Sequence, residues 1–320
     1  MTRALLTCFH KYTPFGDEFY QPLFDYFIHQ LSTKTEEYDK VYFLDSTWNF
    51  TDNDYEKMKK VKGGIIKVDP SLRYYDAYKE VLPQVKEELV LLLDNDTIIY
   101  HKGIIEEVFK KLKDHYMETF YGKQPWYDVV SIIDDIGTYK TDKLKNGNKF
   151  CPYLFATRKD LLMQYLDVEW GPNMPEHETF GKLTEKMLAD GIKPYEWEED
   201  KSNILLNSQE HGTTIDYDLN NEQMKSKDLG YYHIRAGSTP AYLLATKKYG
   251  DRKTYDDYLK NQPRNEYLRQ IMWYWYMMEN MQKPTPEILG GVVEMLVDIG
   301  IEAIDWGKYR EEFQKYHGLV

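Results

Sequence analysis

Two aspartates one residue apart, Asp94 and Asp96, follow the continuous apolar run Leu89–Leu93. Such a run predicts a strand buried on both faces, and ligands of open α/β sheets bind beyond the carboxyl ends of such strands. Carboxylate oxygens are the ligands that Mg²⁺ and Mn²⁺ prefer. The spacing therefore predicts a Mn²⁺ or Mg²⁺ site that bridges a diphosphate. A plain turn remains the alternative, because Asp and Asn both favour turns.

The elements around this motif alternate short apolar runs with amphipathic ones, which predicts a mainly parallel sheet flanked by helices. We predict strands at 4–9, 40–44, 64–68, 88–93, 127–133 and 150–156, and helices at 18–31, 54–60, 71–86, 103–115, 158–166 and 173–190. Further helices are predicted at 239–249, 254–281, 285–299 and 305–317. We therefore expect an α/β domain over residues 1–245 and a helical C-terminal extension over 246–320.

An α/β half that ends in an apolar strand and Asp94-x-Asp96 resembles the GT-A class of nucleotide-sugar glycosyltransferases, over roughly residues 3 to 245. The resemblance implies a GT-A-like sheet and a nucleotide-sugar-binding catalytic domain. It also implies transfer of a hexose or pentose from a nucleoside diphosphate, with a UDP-sugar as the favoured donor. By resemblance, Asp94 approaches the ribose and the metal, and Asp96 ligates the metal.

The segment from Tyr231 to Ser238 carries the next set of expected contacts. Members of the class have a histidine near the end of the catalytic domain that serves as a further metal ligand, so the resemblance assigns that role to His233. A neutral imidazole is a normal ligand for such ions. Arg235 is expected to bind the diphosphate through paired hydrogen bonds, and Ser238 through a backbone N–H at the start of a helix. A structural role for His233 is the alternative.

Residues Glu176, His177 and Glu178 stand where the class has a Glu-Asp pair at a helix start, whose acid is the base for the acceptor hydroxyl in inverting members. We expect Glu178 to be that base, with Glu176 and His177 as alternatives. The departure from Glu-Asp leaves the stereochemical course open. A carboxylate that only stabilises the helix dipole is the simpler reading.

Further donor contacts are expected at the strand ends on the same edge of the sheet. Thr7 and Phe9 close the first strand, Asp45 closes the second, and Arg73 and Asp76 begin the helix before the fourth. Each is a prediction from position alone.

Composition excludes several classes of protein. The net charge of −12 and a pI of about 5.2 argue against a duplex-coating protein, which needs clustered Lys and Arg. Cys8 and Cys151 form neither a disulfide framework nor a zinc site. No signal peptide and no apolar run of about 18 residues is recognised, so we expect a cytoplasmic protein.

The apolar segment from Ile271 to Met278 predicts a buried helix. A homodimer interface or a peripheral membrane contact is its alternative role. The acceptor stays open among glycan, lipid-linked, protein and nucleic-acid hydroxyls.

Two other functions compete with glycosyl transfer. A nucleotidyltransferase of related fold would carry a Gly-rich basic loop after the first strand, where this chain has His10-Lys11-Tyr12-Thr13-Pro14. A catalytically inactive domain that binds a sugar or a nucleotide is the second, and the intact pair of Asp94 and Asp96 counts against it. The absence of G-x-G-x-x-G after the first strand disfavours a dinucleotide fold.

Overall fold

The computed structural model describes residues 1–11, 13–99, 102–112, 127–135, 148–172, 179–197, 206–208, 215–217, 231–233, 238–260, 270–271, 273–275, 277–278 and 285–300. The chain divides into two compact units. Unit one comprises Met1–His10, Leu31–Asn95 and Lys102–Glu199, and unit two comprises Lys11–Gln30, Asp96–His101 and Asp200–Val320.

The strands in chain order are β1 (Arg3–Phe9), β2 (Lys40–Asp45), β3 (Gly63–Lys67), β4 (Leu89–Leu93), β5 (Thr97–Ile99), β6 (Val129–Asp135), β7 (Asn148–Arg158), β8 (Pro194–Trp197), β9 (Leu206–Ser208), β10 (Ile215–Tyr217) and β11 (Tyr231–His233). The helices are α1 (Asp17–Ser32), α2 (Asp52–Lys59), α3 (Tyr74–Val81), α4 (Ile104–Lys111), α5 (Lys159–Leu162), α6 (Gly181–Ala189), α7 (Thr239–Tyr249), α8 (Arg252–Lys260) and α9 (Pro286–Asp298).

Unit one is built on a seven-stranded sheet with the order β3-β2-β1-β4-β7-β6-β8. Strand β7 runs antiparallel to both of its neighbours, and every other adjacent pair is parallel. Helix α2 packs near β3, α3 near β1 and β2, and α6 near β7. The predicted α/β fold, with a mainly parallel sheet flanked by helices, is confirmed.

The strand order places a topological switch between β1 and β4. From β1 the chain moves outward to β2 and β3, and it then returns to add β4 on the other side of β1. In open α/β sheets, ligands bind beyond the carboxyl ends of the strands at such a switch, so a binding crevice is expected beyond β1 and β4. The side chains that end these two strands therefore define the candidate site.

Burial explains why β4 forms the centre of the sheet. All five of its residues are buried, as its continuous apolar run requires. On one face, Leu92 and Leu6 belong to a core that also contains Tyr78 and Val81 of α3 and Leu183 of α6. The predicted strands of this sheet match β1, β2, β3, β4, β6 and β7 to within two residues at each end.

Three predicted helices differ from the structure. The helix predicted to 86 ends at Val81, because Pro83 lies in the 3₁₀ turn that follows. The helix predicted to 166 ends at Leu162 and continues as a 3₁₀ turn. The helix predicted over 173–190 is broken at Phe180, whose left-handed φ of 67° is incompatible with a right-handed helix, and α6 begins at Gly181. Residues 173–178 of that prediction lie outside the described residues.

Unit two combines helices with short strands. Within it, β5 pairs with β11 and β9 pairs with β10, both antiparallel. The aromatic segment, residues 270–271, 273–275 and 277–278, is helical and packs on α1: the Tyr274 hydroxyl donates to the Phe19 carbonyl at 2.6 Å, and the Trp273 ring meets Tyr26 edge-on at 4.9 Å.

The predicted burial of the aromatic segment is confirmed for Ile271, Trp273, Tyr274, Trp275, Met277 and Met278, each of which is buried. A homodimer or peripheral membrane contact through these side chains would need them at the surface. Among the residues described, no helix is both long and apolar enough to cross a membrane.

The predicted domain boundary at residue 245 falls inside α7, and the two compact units have other boundaries along the chain. The assignment of a catalytic domain to 1–245 and an extension to 246–320 stays a prediction.

Candidate functional site

The carboxyl ends of β1, β2 and β4 bring polar side chains to one edge of the sheet in unit one. Phe9 pairs with Asp45, and Leu6 pairs with Leu92, so the continued register places Cys8 beside Asp94. The Asn95 side-chain amide donates to the Cys8 carbonyl at 3.3 Å. This bond attaches the start of the Asp-Asn-Asp motif to the neighbouring strand.

The pKa of the Cys8 thiol reflects the two carboxylates near it. Burial raises its pKa to about 12, and the negative charges of Asp94 and then Asp45 add to that increase. At neutral pH the thiol is therefore protonated, and a protonated thiol is a poor nucleophile. Cys8 thus marks a place where two carboxylates act on one group, and it carries no nucleophilic chemistry.

Tyr78 of α3 lies beneath the same edge and is fully buried. Burial raises its pKa well above the ordinary value, and the charge of Asp94 raises it further. Its hydroxyl lies near the Cys8 backbone. The Tyr78 side chain is therefore a neutral phenol near Asp94.

Asp45 shapes the loop after β2. Its Oδ1 accepts the backbone N–H of Trp48 at 3.1 Å and that of Asn49 at 3.4 Å. Trp48 then packs edge-on against Phe9 with ring centroids 5.0 Å apart. The predicted donor contact thus also organises a turn that an aromatic contact with β1 holds in place.

His10 is a site residue that the sequence analysis did not single out. Its Nδ1 lies 3.3 Å from the Ser46 hydroxyl and 3.4 Å from the Thr47 hydroxyl. Burial lowers the pKa of His10, so the imidazole is neutral at pH 7. The signal was present in the sequence, because His10 and Ser46 each follow directly after one of two neighbouring parallel strands.

Two predicted donor contacts lie in the interior. Thr7 and Phe9 are both 0% exposed, so their side chains have no surface to offer a ligand. Phe9 instead packs among Phe43, Trp48 and Phe50.

The other two predicted donor contacts in unit one lie at the start of α3. Arg73 is exposed, and its guanidinium donates to the Tyr75 hydroxyl at 2.6 Å. Asp76 is half-buried, and its backbone N–H bonds to the Arg73 carbonyl. In the part of the chain described, the hydrogen-bond partner of the Arg73 side chain is thus Tyr75 and not a carboxylate of the site.

Asp96 belongs to unit two, where it is 8% exposed and directly precedes β5. Thr97 pairs with His233 of β11, so the backbone of His233 lies across from the residue after Asp96. Both residues are predicted from the sequence, but the strands β5 and β11 that bring their backbones together are not. Ser238 directly precedes α7, as predicted.

Several predicted residues lie outside what the structure describes. These are Glu176, His177 and Glu178, Arg235, and the side chain of His233. Their roles stay predictions.

The donor chemistry of Asp94 and Asp96 fits a Mg²⁺-type ion. Such an ion is commonly held by one or two carboxylates together with water and substrate phosphates, and not by a closed protein cage. Within the described ranges, no group of three or more His, Cys, Asp or Glu side chains able to hold an ion occurs.

No protein-family model and no curated protein sequence matches the chain. Among solved structures, it is similar to S. aureus TarS 1–349 at 12% identity, over 99% of this chain and 89% of that one, with a TM-score of 0.42.

Two other solved structures are similar to the chain. A CMP:2-keto-3-deoxy-manno-octonic acid synthetase with CTP has 12% identity over 61% of this chain and 90% of that one, with a TM-score of 0.38. Glucosyl-3-phosphoglycerate synthase from Mycobacterium tuberculosis has 13% identity over 50% of this chain and 58% of that one, with a TM-score of 0.34. These values do not assign the chain to a family.

Proposed function

We propose that the chain is a metal-dependent glycosyltransferase that moves a sugar from a nucleoside diphosphate, with UDP favoured, to an acceptor hydroxyl. One observation carries the proposal: the parallel registers of β1 with β2 and with β4 bring Asp45 and Asp94 to the same edge of the sheet, on either side of the end of β1. Asp96 follows two residues along the chain. Open α/β sheets bind their ligands in this position.

Charge explains why an ion belongs in such a crevice. A diphosphate is anionic, and carboxylates repel it. Asp94 and Asp96 would hold Mn²⁺ or Mg²⁺, with His233 as the proposed third ligand. When bound, the ion supplies neutralising charge and Lewis acidity at the departing phosphate.

Neutral polar groups beside the crevice suit the rest of the donor. His10, Ser46 and Thr47 offer hydrogen-bond donors and acceptors without charge. A nucleobase or a ribose needs that kind of partner, and we assign these three residues to donor binding together with Asp45. Glu178 remains the proposed acceptor base, with Glu176 and His177 as alternatives.

Nucleotidyl transfer is the competing function, and the residues after β1 argue against it. The first cation after that strand is Lys11, which is buried in unit two and forms an ion pair with Asp17. A lysine that grips a nucleoside triphosphate needs a charge that is available to the phosphates. The ion pair with Asp17 reduces that availability.

One assay separates the candidate functions. The protein is incubated with Mn²⁺ and either nucleotide sugars or nucleoside triphosphates with sugar phosphates, and the released product is identified. Glycosyl transfer, or hydrolysis of the donor without an acceptor, releases a nucleoside diphosphate, whereas nucleotidyl transfer releases pyrophosphate. Binding without either product would indicate an inactive domain.

The matched variants are Asp96→Asn and Asp52→Asn, the second of which changes an exposed aspartate in the first turn of α2. We expect Asp96→Asn to abolish release of the nucleoside diphosphate and Asp52→Asn to leave it unchanged, because a neutral amide is a poorer ligand for a hard cation. Equal activity of the two variants would contradict the proposal.

A further inference from the structure

The side chain of Gln30 clamps strand β5 from the side. Its Nε2 donates to the Thr97 carbonyl at 2.9 Å, and its Oε1 accepts the Ile99 backbone N–H at 2.6 Å. All three residues are at least nine-tenths buried. One amide thus satisfies a backbone acceptor and a backbone donor that water does not reach.

The two hydrogen bonds of the Gln30 side chain replace those that a neighbouring parallel strand would make with β5. In a parallel sheet, the backbone N–H of one residue donates to the residue before its partner on the next strand, and its carbonyl accepts from the residue after that partner. Gln30 makes this pair of bonds with Thr97 and Ile99 through its side chain, on one edge of β5. Strand β11 occupies the other edge. A strand of three residues is therefore held from both sides.

We infer that Gln30 is a positioning residue for the metal-binding end of the proposed site, an inference that rests on the proposed function. Asp96 directly precedes the clamped strand, and His233 pairs with Thr97 inside it. The direction of β5 fixes where the backbones of both proposed ligands lie. Gln30 touches neither ligand and acts through the strand.

Loss of the clamp removes one hydrogen bond from the buried Thr97 carbonyl and one from the buried Ile99 N–H, which weakens the hold on β5. Residues that orient metal ligands typically change metal affinity by about 10–100-fold when they are replaced. We expect a change of that size from Gln30→Met, which keeps the length of the side chain and removes both bonds.

The experiment measures Mn²⁺ binding to the full chain by electron paramagnetic resonance, and amide hydrogen exchange at Ile99 by NMR. Gln21→Met is the matched control, because Gln21 lies on the same helix and its side-chain amide donates to Asp25 at 3.1 Å and not to β5. We expect Gln30→Met to weaken Mn²⁺ binding about 10–100-fold and to speed Ile99 exchange. Gln21→Met should change neither.

Gln30→Glu is the second variant, and it covers a failure of Gln30→Met to fold. A glutamate keeps the bond from Ile99 but cannot donate to Thr97 when it is ionised. It should weaken Mn²⁺ binding to a smaller extent than Gln30→Met. Faster exchange at Ile99 with unchanged Mn²⁺ affinity would overturn the inference and leave Gln30 a purely structural residue.

A failure of the proposed function is distinguishable from a failure of this inference. If Asp96→Asn binds Mn²⁺ as tightly as the unsubstituted chain, the proposed metal site is wrong whatever Gln30 does. If Asp96→Asn loses Mn²⁺ and Gln30→Met does not, only the positioning role fails.

Discussion

The charge of Asp94 acts on two groups that stay neutral, the thiol of Cys8 and the phenol of Tyr78. Burial is the larger cause of both raised pKa values, and the carboxylate adds to it. Neither neighbour supplies a positive charge to Asp94. Both groups therefore sense the charge of this carboxylate and carry no charge themselves.

A first prediction uses Cys8 to measure that charge. Asp94→Asn should lower the Cys8 pKa from about 12, and each unit of decrease raises the thiolate fraction about tenfold. The pH profile of iodoacetamide alkylation should therefore shift to lower pH. Burial remains as the larger cause, so the pKa should stay above the ordinary value.

A Cys8→Ser variant gives the background alkylation of Cys151, which is fully buried.

The raised pKa of Cys8 also predicts how the free energy of unfolding changes with pH. The unfolded thiol loses its proton near 9 and the folded thiol near 12, so the contribution is intact below pH 9 and is lost as the pH rises through that window. An alkylation profile that does not respond to Asp94→Asn would show that the carboxylate does not act on Cys8.

At the scale of the elements, one carboxylate from a distant turn fixes the start of α4. Glu37 accepts the backbone N–H groups of Gly103 at 2.7 Å and Ile105 at 3.0 Å. It is 2% exposed. A negative charge at a helix N-terminus satisfies free N–H groups and complements the helix dipole.

The second prediction tests this cap with a neighbouring control. Glu37→Gln removes the charge and one acceptor from a buried site, and we expect a loss of about 1–3 kcal/mol in the free energy of unfolding. Glu36→Gln alters the adjacent, exposed carboxylate and should change it by less than about 0.5 kcal/mol. Urea unfolding measures both, and equal losses would show that Glu37 is not the cap.

The third prediction concerns the approach of α1 to α7 within unit two. Gly16 has a φ of 81°, and a Cβ built there would lie 2.5 Å from the Ala245 Cβ. Gly16→Ala therefore combines left-handed strain of about 1–2 kcal/mol with overpacking of about 1–3 kcal/mol. Gly191→Ala, at a φ of 82° with nothing within 4 Å, carries the strain alone. Thermal unfolding should show the larger loss for Gly16→Ala, and equal losses would rule out the close packing.

Burial patterns explain which elements the sequence analysis could predict. Strands β2 and β4 are mostly apolar and of ordinary strand length, and the structure places Asp45 at the end of β2 and Asp94 directly after β4, as the sequence predicts. Strands β5 and β11 have three residues each, which is too few for a periodicity to be visible. Strand β8 begins with a proline and contains a glutamate, both unusual in a strand.

Part of the site could not be predicted because it depends on contacts between distant positions. The Gln30 clamp joins residues that are 67 and 69 apart, and no local pattern marks a glutamine as a substitute for a strand. His10 was within reach, since it directly follows β1, but a single histidine gave no pattern. The left-handed conformation of Phe180 could not be predicted from the sequence, because non-glycine residues seldom adopt it.

At the scale of the whole molecule, ligand binding and folding are linked. Mn²⁺ and a nucleoside diphosphate are the proposed ligands of the folded chain. Anything that binds only the folded chain raises its melting temperature according to its affinity.

The fourth prediction follows from that linkage. Mn²⁺ and UDP together should raise the melting temperature more than the sum of the two separate shifts, because an ion between carboxylates and a diphosphate strengthens both contacts. EDTA should abolish the combined shift and turnover reversibly. Asp96→Asn should show only the small shift of UDP alone, and full turnover in EDTA would contradict a metal-dependent mechanism.

The interleaving of the two units limits how such a gene can change. Each unit is assembled from three separate stretches, and the chain passes between them five times. A recombination event at any single position inherits pieces of both units, so neither can be exchanged as a cassette with another gene. Diversification of the ligands that this chain binds would then proceed by point substitutions and loop insertions within one lineage, and not by exchange of one unit for another.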